Sequence, residues 1–329
     1  MPLYNEGSFI RESLQSVLDQ TYSDFECIII DDCSTDDTLD KIESFDDPRI
    51  RLIKKEVNSG YTTSLNLGIL EARGRYIARM DGDDYCYPER FEKQVAFLEE
   101  NLDYVLCGSQ YMRFDDQKAF VLPEEDTEIK TMLIHGNQII HPSVMMRRSV
   151  LIDNGITYNV EKEPAEDYDL WARLLPFGKL KNLKEPLIKY RVHTGQISNR
   201  ASPLQKEHDH DTRLIMYSYL DLAIDEKEKR LIKRLYSINE KLKWSDSIEF
   251  ILFQKKMKRC AVKSLYDVSE FDSFLMVMEY FFIKKSWTTS QENKLVGLLK
   301  YLAIKLTCCV FPNPKNGLKL ILKWSRFPK

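Results

Sequence analysis

The chain has 329 residues, 43% hydrophobic and 30% charged, enough apolar material for one large domain or two ordinary ones and too much for a disordered chain. Its seven cysteines (Cys27, Cys33, Cys86, Cys107, Cys260, Cys308, Cys309) form an odd set without a C-x-x-C pair, which argues against a disulfide scaffold or a cysteine zinc site and fits a reducing compartment. The net charge of −3 divides unevenly: residues 1–200 carry 24 basic against 36 acidic side chains, net −12, and residues 201–329 carry 24 against 15, net +9.

In chain order, Ile10, Leu14, Val17 and Leu18 recur at helical spacing, with Asn5 or Ser8 placed to cap that helix. Residues 25–30 read as a buried strand that runs directly into Asp31-Asp32. Ser34 with Asp37 three residues on resembles a capping box, opening a helix with Leu39, Ile42 and Phe45 on one face. A second strand follows at 51–53, a loop at 58–60 and a third helix at 63–72. The strand at 75–80 ends in Asp81-Gly82-Asp83-Asp84, and after Pro88 the apolar positions Phe91, Val95 and Leu98 mark another helix. This alternation predicts an α/β domain with a Rossmann-like, mainly parallel sheet. Beyond residue 100 the regularity breaks: strands are expected at 104–107 and 143–146, and a helix at 168–175 that Gly178 can end. The polar stretch 200–210 reads as a linker, with His208 and His210 in solvent. It places a boundary near 200, between an α/β domain over 1–200 and a mostly α-helical region over 201–329.

Two strands therefore end in acidic clusters, Asp31-Asp32 and 81–84. In open α/β sheets ligands bind outside the carboxyl ends of the strands, so both clusters face one crevice. Carboxylates gathered this way repel one another, and a hard divalent cation, Mg²⁺ or Mn²⁺, offsets that cost while also taking phosphate oxygens. Taken alone, either cluster also fits solvated turns and helix caps. Neither G-x-x-x-x-G-K-[ST] nor G-x-G-x-x-G occurs, so nucleotide phosphates would be held by a metal and not by a glycine cradle. Glu166-Asp167 is a third acidic site, at a helix start where the dipole stabilises negative charge. His193 can reach a phosphate or metal, although a lone histidine is more often structural. No pair of the five histidines has H-E-x-x-H spacing.

Together these residues resemble the family 2 glycosyltransferases of the GT-A fold, of the kind that build bacterial cell-surface polysaccharides. The matching text runs through Met1-Pro2-Leu3-Tyr4-Asn5-Glu6, Leu18-Asp19-Gln20-Thr21-Tyr22 and Ile30-Asp31-Asp32-Cys33-Ser34. It continues through Asn58-Ser59-Gly60, Ala72-Arg73-Gly74-Arg75, Asp81-Gly82-Asp83-Asp84 and Pro88-Glu89-Arg90, and closes with His141-Pro142-Ser143 and Glu166-Asp167-Tyr168. Each motif is weak alone; the ordered set over roughly 1–200 is specific. The resemblance implies inverting, metal-dependent transfer of a sugar from a nucleoside-diphosphate donor, with uracil as the expected base, to a hydroxyl of a glycan or lipid-linked glycan. Pro2, Leu3 and Tyr4 would line the base pocket, Asp32 would bond the base and Asp83 the ribose. Asp84, assisted by Asp81, would hold Mg²⁺ or Mn²⁺. Asp167 would be the general base, with Glu166 its partner in the acidic motif. His193 would assist at the metal and Arg191 would contact diphosphate.

The sequence departs from the family at its start, inside the turn that usually follows a first hydrophobic strand of about five residues. A missing upstream piece is the expectation, with consequences for stability and donor affinity if the strand is absent. Residues 201–329 match nothing in the family. Their net +9, and the run 318–324 with Trp324 beside lysines, fit peripheral attachment to an anionic membrane surface, equally well a soluble helical subdomain. No apolar run reaches the roughly 18–20 residues of a spanning helix, and Asn5, Glu6, Arg11 and Glu12 break any secretory h-region. A cytoplasmic protein, peripheral on the inner membrane face, follows as the expected location. A chain acidic overall argues against nucleic acid as a partner. Two competing readings remain: a metal-dependent nucleotidyltransferase, and a degenerate module that binds nucleotide sugars without turnover.

Overall fold

The computed structural model describes residues 1–116, 118–193, 203–220, 222–237, 240, 242, 246–261 and 266–289. These fall into two compact units: Met1–Ile129 with Asn137–Asp209, and Lys130–Gly136 with the residues from His210 on.

The first unit opens with β1 (Pro2–Leu3), α1 (Ile10–Leu18), β2 (Cys27–Asp31), α2 (Thr38–Glu43) and β3 (Ile50–Lys54). The three strands make a parallel sheet in the order β1-β2-β3, with Leu3 opposite Asp31. Parallel neighbours need crossovers, and α1 and α2 supply them. Helix α1 buries Ile10, Leu14, Val17 and Leu18, and β2 buries Cys27, Ile29 and Ile30; that apolar seam is the core of this half.

Next come α3 (Tyr61–Glu71), β4 (Tyr76–Ala78), β5 (Tyr85–Cys86), α4 (Arg90–Glu100), β6 (Tyr104–Arg113), α5 (Asp126–Leu133), β7 (Met145–Arg147), α6 (Arg148–Asp153), α7 (Glu166–Leu174) and β8 (Lys179–Tyr190). A mixed five-stranded sheet runs β4-β7-β6-β8-β5, with β6 and β8 parallel and the other pairs antiparallel. Among the described residues β1 pairs only with β2, so the two sheets stay separate. A cavity of about 790 Å³ lies where they face each other, lined by Met1, Ile28, Tyr76 and Ile77 among others. The Met1 nitrogen donates to the Ile28 carbonyl at 2.9 Å.

Polar side chains tie the layers where strand ends leave backbone groups unpaired. Gln20 donates to the Tyr87 carbonyl at 2.8 Å and accepts from Phe91 N–H at 2.9 Å, fastening the end of α1 to the start of α4. Arg90, fully buried, donates to the carbonyls of Arg79 and Val144 at 2.8 and 3.1 Å. Gln94 bonds the carbonyls of Cys107 and Ser143 at 2.7 and 2.8 Å.

Several local expectations are corrected. Neither Asn5 nor Ser8 caps α1, whose N-cap position is Phe9. Asn5 takes φ +57° and accepts from Thr35 N–H at 2.8 Å, joining the turn after β1 to the turn after β2. The Ser34–Asp37 capping box does not form, because Asp36 accepts from Thr38 N–H at 3.0 Å instead. Helix α7 stops at Leu174 and continues as a 3₁₀ turn over Leu175–Phe177. Gly178 caps that turn and so ends the helical run as expected, and it also permits a close approach: a Cβ would sit 2.4 Å from Val105 Cγ1 and 2.8 Å from the Asp103 carbonyl oxygen.

Most of the expected linker is helical, in α8 (Pro203–Ser218), and His208 is buried and not solvated. From there the chain forms α9 (Glu226–Tyr236), α10 (Ser247–Ala261) and α11 (Val268–Thr289). A capping box of Asp225 with Glu228 starts α9. In the second unit the Phe250 and Phe282 rings stack at 4.3 Å, joining α10 to α11. No described helix is long and apolar enough to cross a membrane. The basic run at 318–324 lies outside the described residues.

Candidate active site

A cleft of about 1010 Å³ lies in the first unit, at the carboxyl ends of β1, β2 and β4. Three groups of side chains meet there.

The first group sits on the turn after β1. Pro2, Leu3 and Tyr4 line the cleft with Asp32, the residue after β2. Asp32 is 2% exposed and its Oδ1 accepts from Lys55 Nζ at 2.5 Å and Ser59 N–H at 3.0 Å. A buried carboxylate fixed this way is a ready acceptor for a ring N–H of a base.

The second group is the turn after β4. Ligand oxygens of Asp81, Asp83 and Asp84 lie within 4.8 Å of one another. Gly82 lets this turn close on the first: a Cβ there would sit 2.4 Å from Leu3 Cδ2 and 2.9 Å from Glu6 Cγ. Asp81 and Asp83 line the cleft with His193, whose Nε2 is 2.9 Å from Asp83 Oδ2. Asp84 is fully buried behind them, its Oδ1 accepting from Arg191 N–H at 2.8 Å while Oδ2 has no hydrogen-bond partner. Burial, and then repulsion from Asp81 and Asp83, pushes the Asp84 carboxyl well up. Burial also raises Asp81, which Arg79 partly offsets through an ion pair. Glu6 adds a fourth carboxyl, raised to about 8 by burial and by its acidic neighbours. Crowded acids with an orphaned buried oxygen fit a divalent cation: Asp81, Asp83 and Asp84 offer hard oxygens and His193 a nitrogen.

Arg191 is already engaged. Its Nε donates to the Asp83 carbonyl at 2.7 Å, its Nη2 reaches Glu12 at 2.5 Å, and its guanidinium lies over the Phe9 and Phe114 rings at 4.8 and 3.7 Å. Arg191 therefore clamps the acidic turn to α1 and β8, outside the cleft lining.

The third group opens α7. Glu166 and Asp167 occupy its first turn and line the cleft. Burial and repulsion from Asp167 raise Glu166 to about 8, and burial raises Asp167 to about 6. Hydrogen bonds hold Asp167 down from a larger rise: Tyr168 N–H at 2.6 Å on Oδ1 and Asn137 Nδ2 at 2.7 Å on Oδ2. Glu166 bonds the Tyr61 hydroxyl, and its Oε2 is buried without a partner. Asp169, further along the helix, pairs with Arg173 at 2.8 Å and faces away from this chemistry.

All the sequence-derived donor, acid and metal residues thus meet around one cleft, with Asp84 and Arg191 set behind its wall. The sequence reading missed Glu6, Tyr61, Arg79 and Asn137. Arg79 carried a signal, a charge near the end of a buried strand pattern, and Glu6 stands in the first motif of the resemblance; Tyr61 and Asn137 stand in none.

The sequence model described as Glycosyl transferase family 2 matches residues 1–155. A glycosyltransferase of Haemophilus influenzae, not further characterised, is 36% identical over 222 residues, which is 62% of this chain and 68% of that one. In fold the chain is similar to S. aureus TarS 1–349, solved in complex with UDP-GlcNAc: TM-score 0.58, 21% identity, 87% of this chain and 86% of that one. It is also similar to the mannosyltransferase PcManGT from Pyrobaculum calidifontis, solved with GDP-Man and Mn²⁺: TM-score 0.51, 13% identity, 98% and 82% coverage. With the acidic turns after β2 and β4 and the carboxylate pair on α7 in this order around one cleft, the chain belongs to glycosyl transferase family 2 and is a glycosyltransferase with a GT-A fold.

Proposed function

We propose that the protein transfers a sugar, with inversion, from a nucleoside-diphosphate donor to a hydroxyl of a glycan or lipid-linked glycan, and that a UDP-sugar is its donor. The observation that carries this reading is the meeting of Asp32, the 81–84 turn and Glu166-Asp167 around one cleft. The sugar-nucleotide complexes of the TarS and PcManGT structures support it. Pro2, Leu3 and Tyr4 pack on the base, and the Asp32 carboxylate accepts its ring N–H. Asp83 faces the ribose. Asp81, Asp83, Asp84 and His193 would hold Mg²⁺ or Mn²⁺, which supplies charge neutralisation of the departing diphosphate. Asp167 removes the proton of the acceptor hydroxyl as that oxygen attacks the anomeric carbon. The bond from that carbon to the diphosphate oxygen breaks, and the diphosphate leaves with the electron pair. Attack from the opposite face inverts the centre, and no covalent intermediate is needed.

Calorimetry with a panel of UDP-, GDP- and other nucleotide sugars, with and without Mn²⁺, tests the reading. Binding of a UDP-sugar that requires Mn²⁺ supports it and names the donor class. Folded protein that binds no nucleotide sugar overturns it, and release of inorganic diphosphate in place of UDP would make the protein a nucleotidyltransferase.

The same reading puts the protein at the cytoplasmic face of a membrane, where lipid-linked acceptors reside and where the net +9 of residues 201–329 meets anionic lipid.

A further inference from the structure

We propose that Asn137 is a positioning residue for Asp167: its side-chain amide aims the carboxylate into the cleft and stabilises the charged form. The proposal rests on the assignment of Asp167 as general base.

The geometry leaves this amide one orientation. Asn137 Oδ1 accepts from Ile139 N–H at 3.1 Å, a turn closed by the residue's own loop. A flipped amide would set its NH₂ against that N–H, donor against donor. The NH₂ must therefore face away from the loop, and there it donates to Asp167 Oδ2 at 2.7 Å. The other carboxylate oxygen accepts from Tyr168 N–H at 2.6 Å. With one donor on each oxygen the carboxylate cannot rotate without losing a hydrogen bond, yet each oxygen keeps a lone pair for an incoming proton.

The residue type matters. Asn137 faces a carboxylate crowded by other acids: Glu166 beside it in the chain, and Asp209 of α8, which raises its proton affinity. Arg79, at the end of β4, acts in the opposite direction. The hydroxyls of Tyr61 and Tyr158 face the same pair. An uncharged donor at 137 favours the ionised base without adding a charge that would compete for donor diphosphate; an aspartate there would repel it. Asn137 is itself exposed, so packing does not account for its place, and its loss should cost the fold little.

The test is a ¹³C-carboxyl NMR titration of the full chain, with the Asp167 signal assigned by its disappearance in Asp167→Asn. It needs no substrate. In Asn137→Ala the Asp167 midpoint should rise by about half a unit to one unit, and in Asn137→Asp further, because hydrogen bonds to the charged form hold a carboxyl pKa down and a like charge lifts it. The thermal midpoint of Asn137→Ala should stay within about 2 °C of the parent, a shift too small for a core defect. UDP release from UDP-GlcNAc and UDP-glucose with Mn²⁺ is measured alongside. There kcat should fall about tenfold, a part of the roughly 10²- to 10⁴-fold that a placed base contributes, with donor KM within about twofold and the acid limb moved up with the midpoint. An Asn137→Ala protein with an unmoved Asp167 midpoint and unmoved kcat would overturn the positioning role. An Asp167→Asn protein that still turns over would instead overturn the assignment of the base, so the two failures are separable.

Discussion

At the residue scale, the chemistry depends on carboxyls whose surroundings push them apart from ordinary acids. Asp167 is raised to about 6 by burial, and the general base that we propose it to be must be ionised to work. Transfer should therefore be lost as pH falls through about 6, with a single acid limb in kcat. Asp167→Asn should lower kcat by a factor of about 10² to 10⁴, while calorimetric donor binding changes little. Glu166 behaves differently. Its folded-state value of about 8 lies above that of an unfolded glutamate, so the native state holds the extra proton between the two values. Stability from this group is present at low pH and is lost as pH rises towards 8. Glu166→Gln, neutral at every pH, should melt higher than the parent at pH 8 and differ little at pH 5; equal melting at pH 8 would show that Glu166 is not held protonated. At the acidic turn proposed to hold the metal, Asp83→Asn should weaken Mn²⁺-dependent donor binding by about tenfold or more, since a cation site loses a charged oxygen. Unchanged affinity would remove Asp83 from that site.

At the scale of elements, the acidic turn after β4 works only because it closes tightly on the turn after β1. Gly82→Ala would force a Cβ to 2.4 Å from Leu3 Cδ2. Overpacking of this kind costs about 1–3 kcal/mol, and here it also displaces Leu3 of β1 and the turn after it that carries Tyr4. Denaturant melts and donor titrations should both register the change. Such a role could not be read from Asp-Gly-Asp-Asp alone, because the reason for the glycine is a side chain some eighty positions earlier. The same holds for Gln20 and Arg90. Both stand in motifs that mark the family resemblance, yet their work is to satisfy backbone groups of elements distant in sequence. The caps misread at Ser34 and Asn5 fail for a related reason. Those side chains bond the neighbouring turn instead, each accepting one backbone N–H there.

At the scale of the whole molecule, charge is divided along the chain, and its second part offers a test that does not depend on knowing the acceptor. Vesicles containing anionic phospholipid should sediment the full chain at low salt. Binding should fall steeply between about 50 and 300 mM salt, since the Debye length shrinks from above 10 Å to below 8 Å. Neutral vesicles should not bind it at either salt. No binding would argue for a soluble helical unit, and salt-independent binding for attachment by apolar insertion and not by charge.

The amino-acid sequence by itself determined the order of α1 to α4 and of β2, β3 and β4 in the first 100 residues, because apolar periodicity is a local property; it gave neither β1 nor β5, since strands of two residues are too short to show any period. It also identified the acidic groups, because carboxylates after buried strands and at a helix start are local too. The tertiary structure decided what each of them faces. It set Asp84 behind the cleft wall and Arg191 in a clamp between two aromatic rings. It turned most of the polar stretch before residue 210 into helix. Most of all it brought Asn137, which no motif marked, within 2.7 Å of Asp167, thirty residues away. A hydrogen bond between a loop side chain and one in the first turn of a helix leaves no periodicity in the sequence; it exists only once both elements are anchored to the same core.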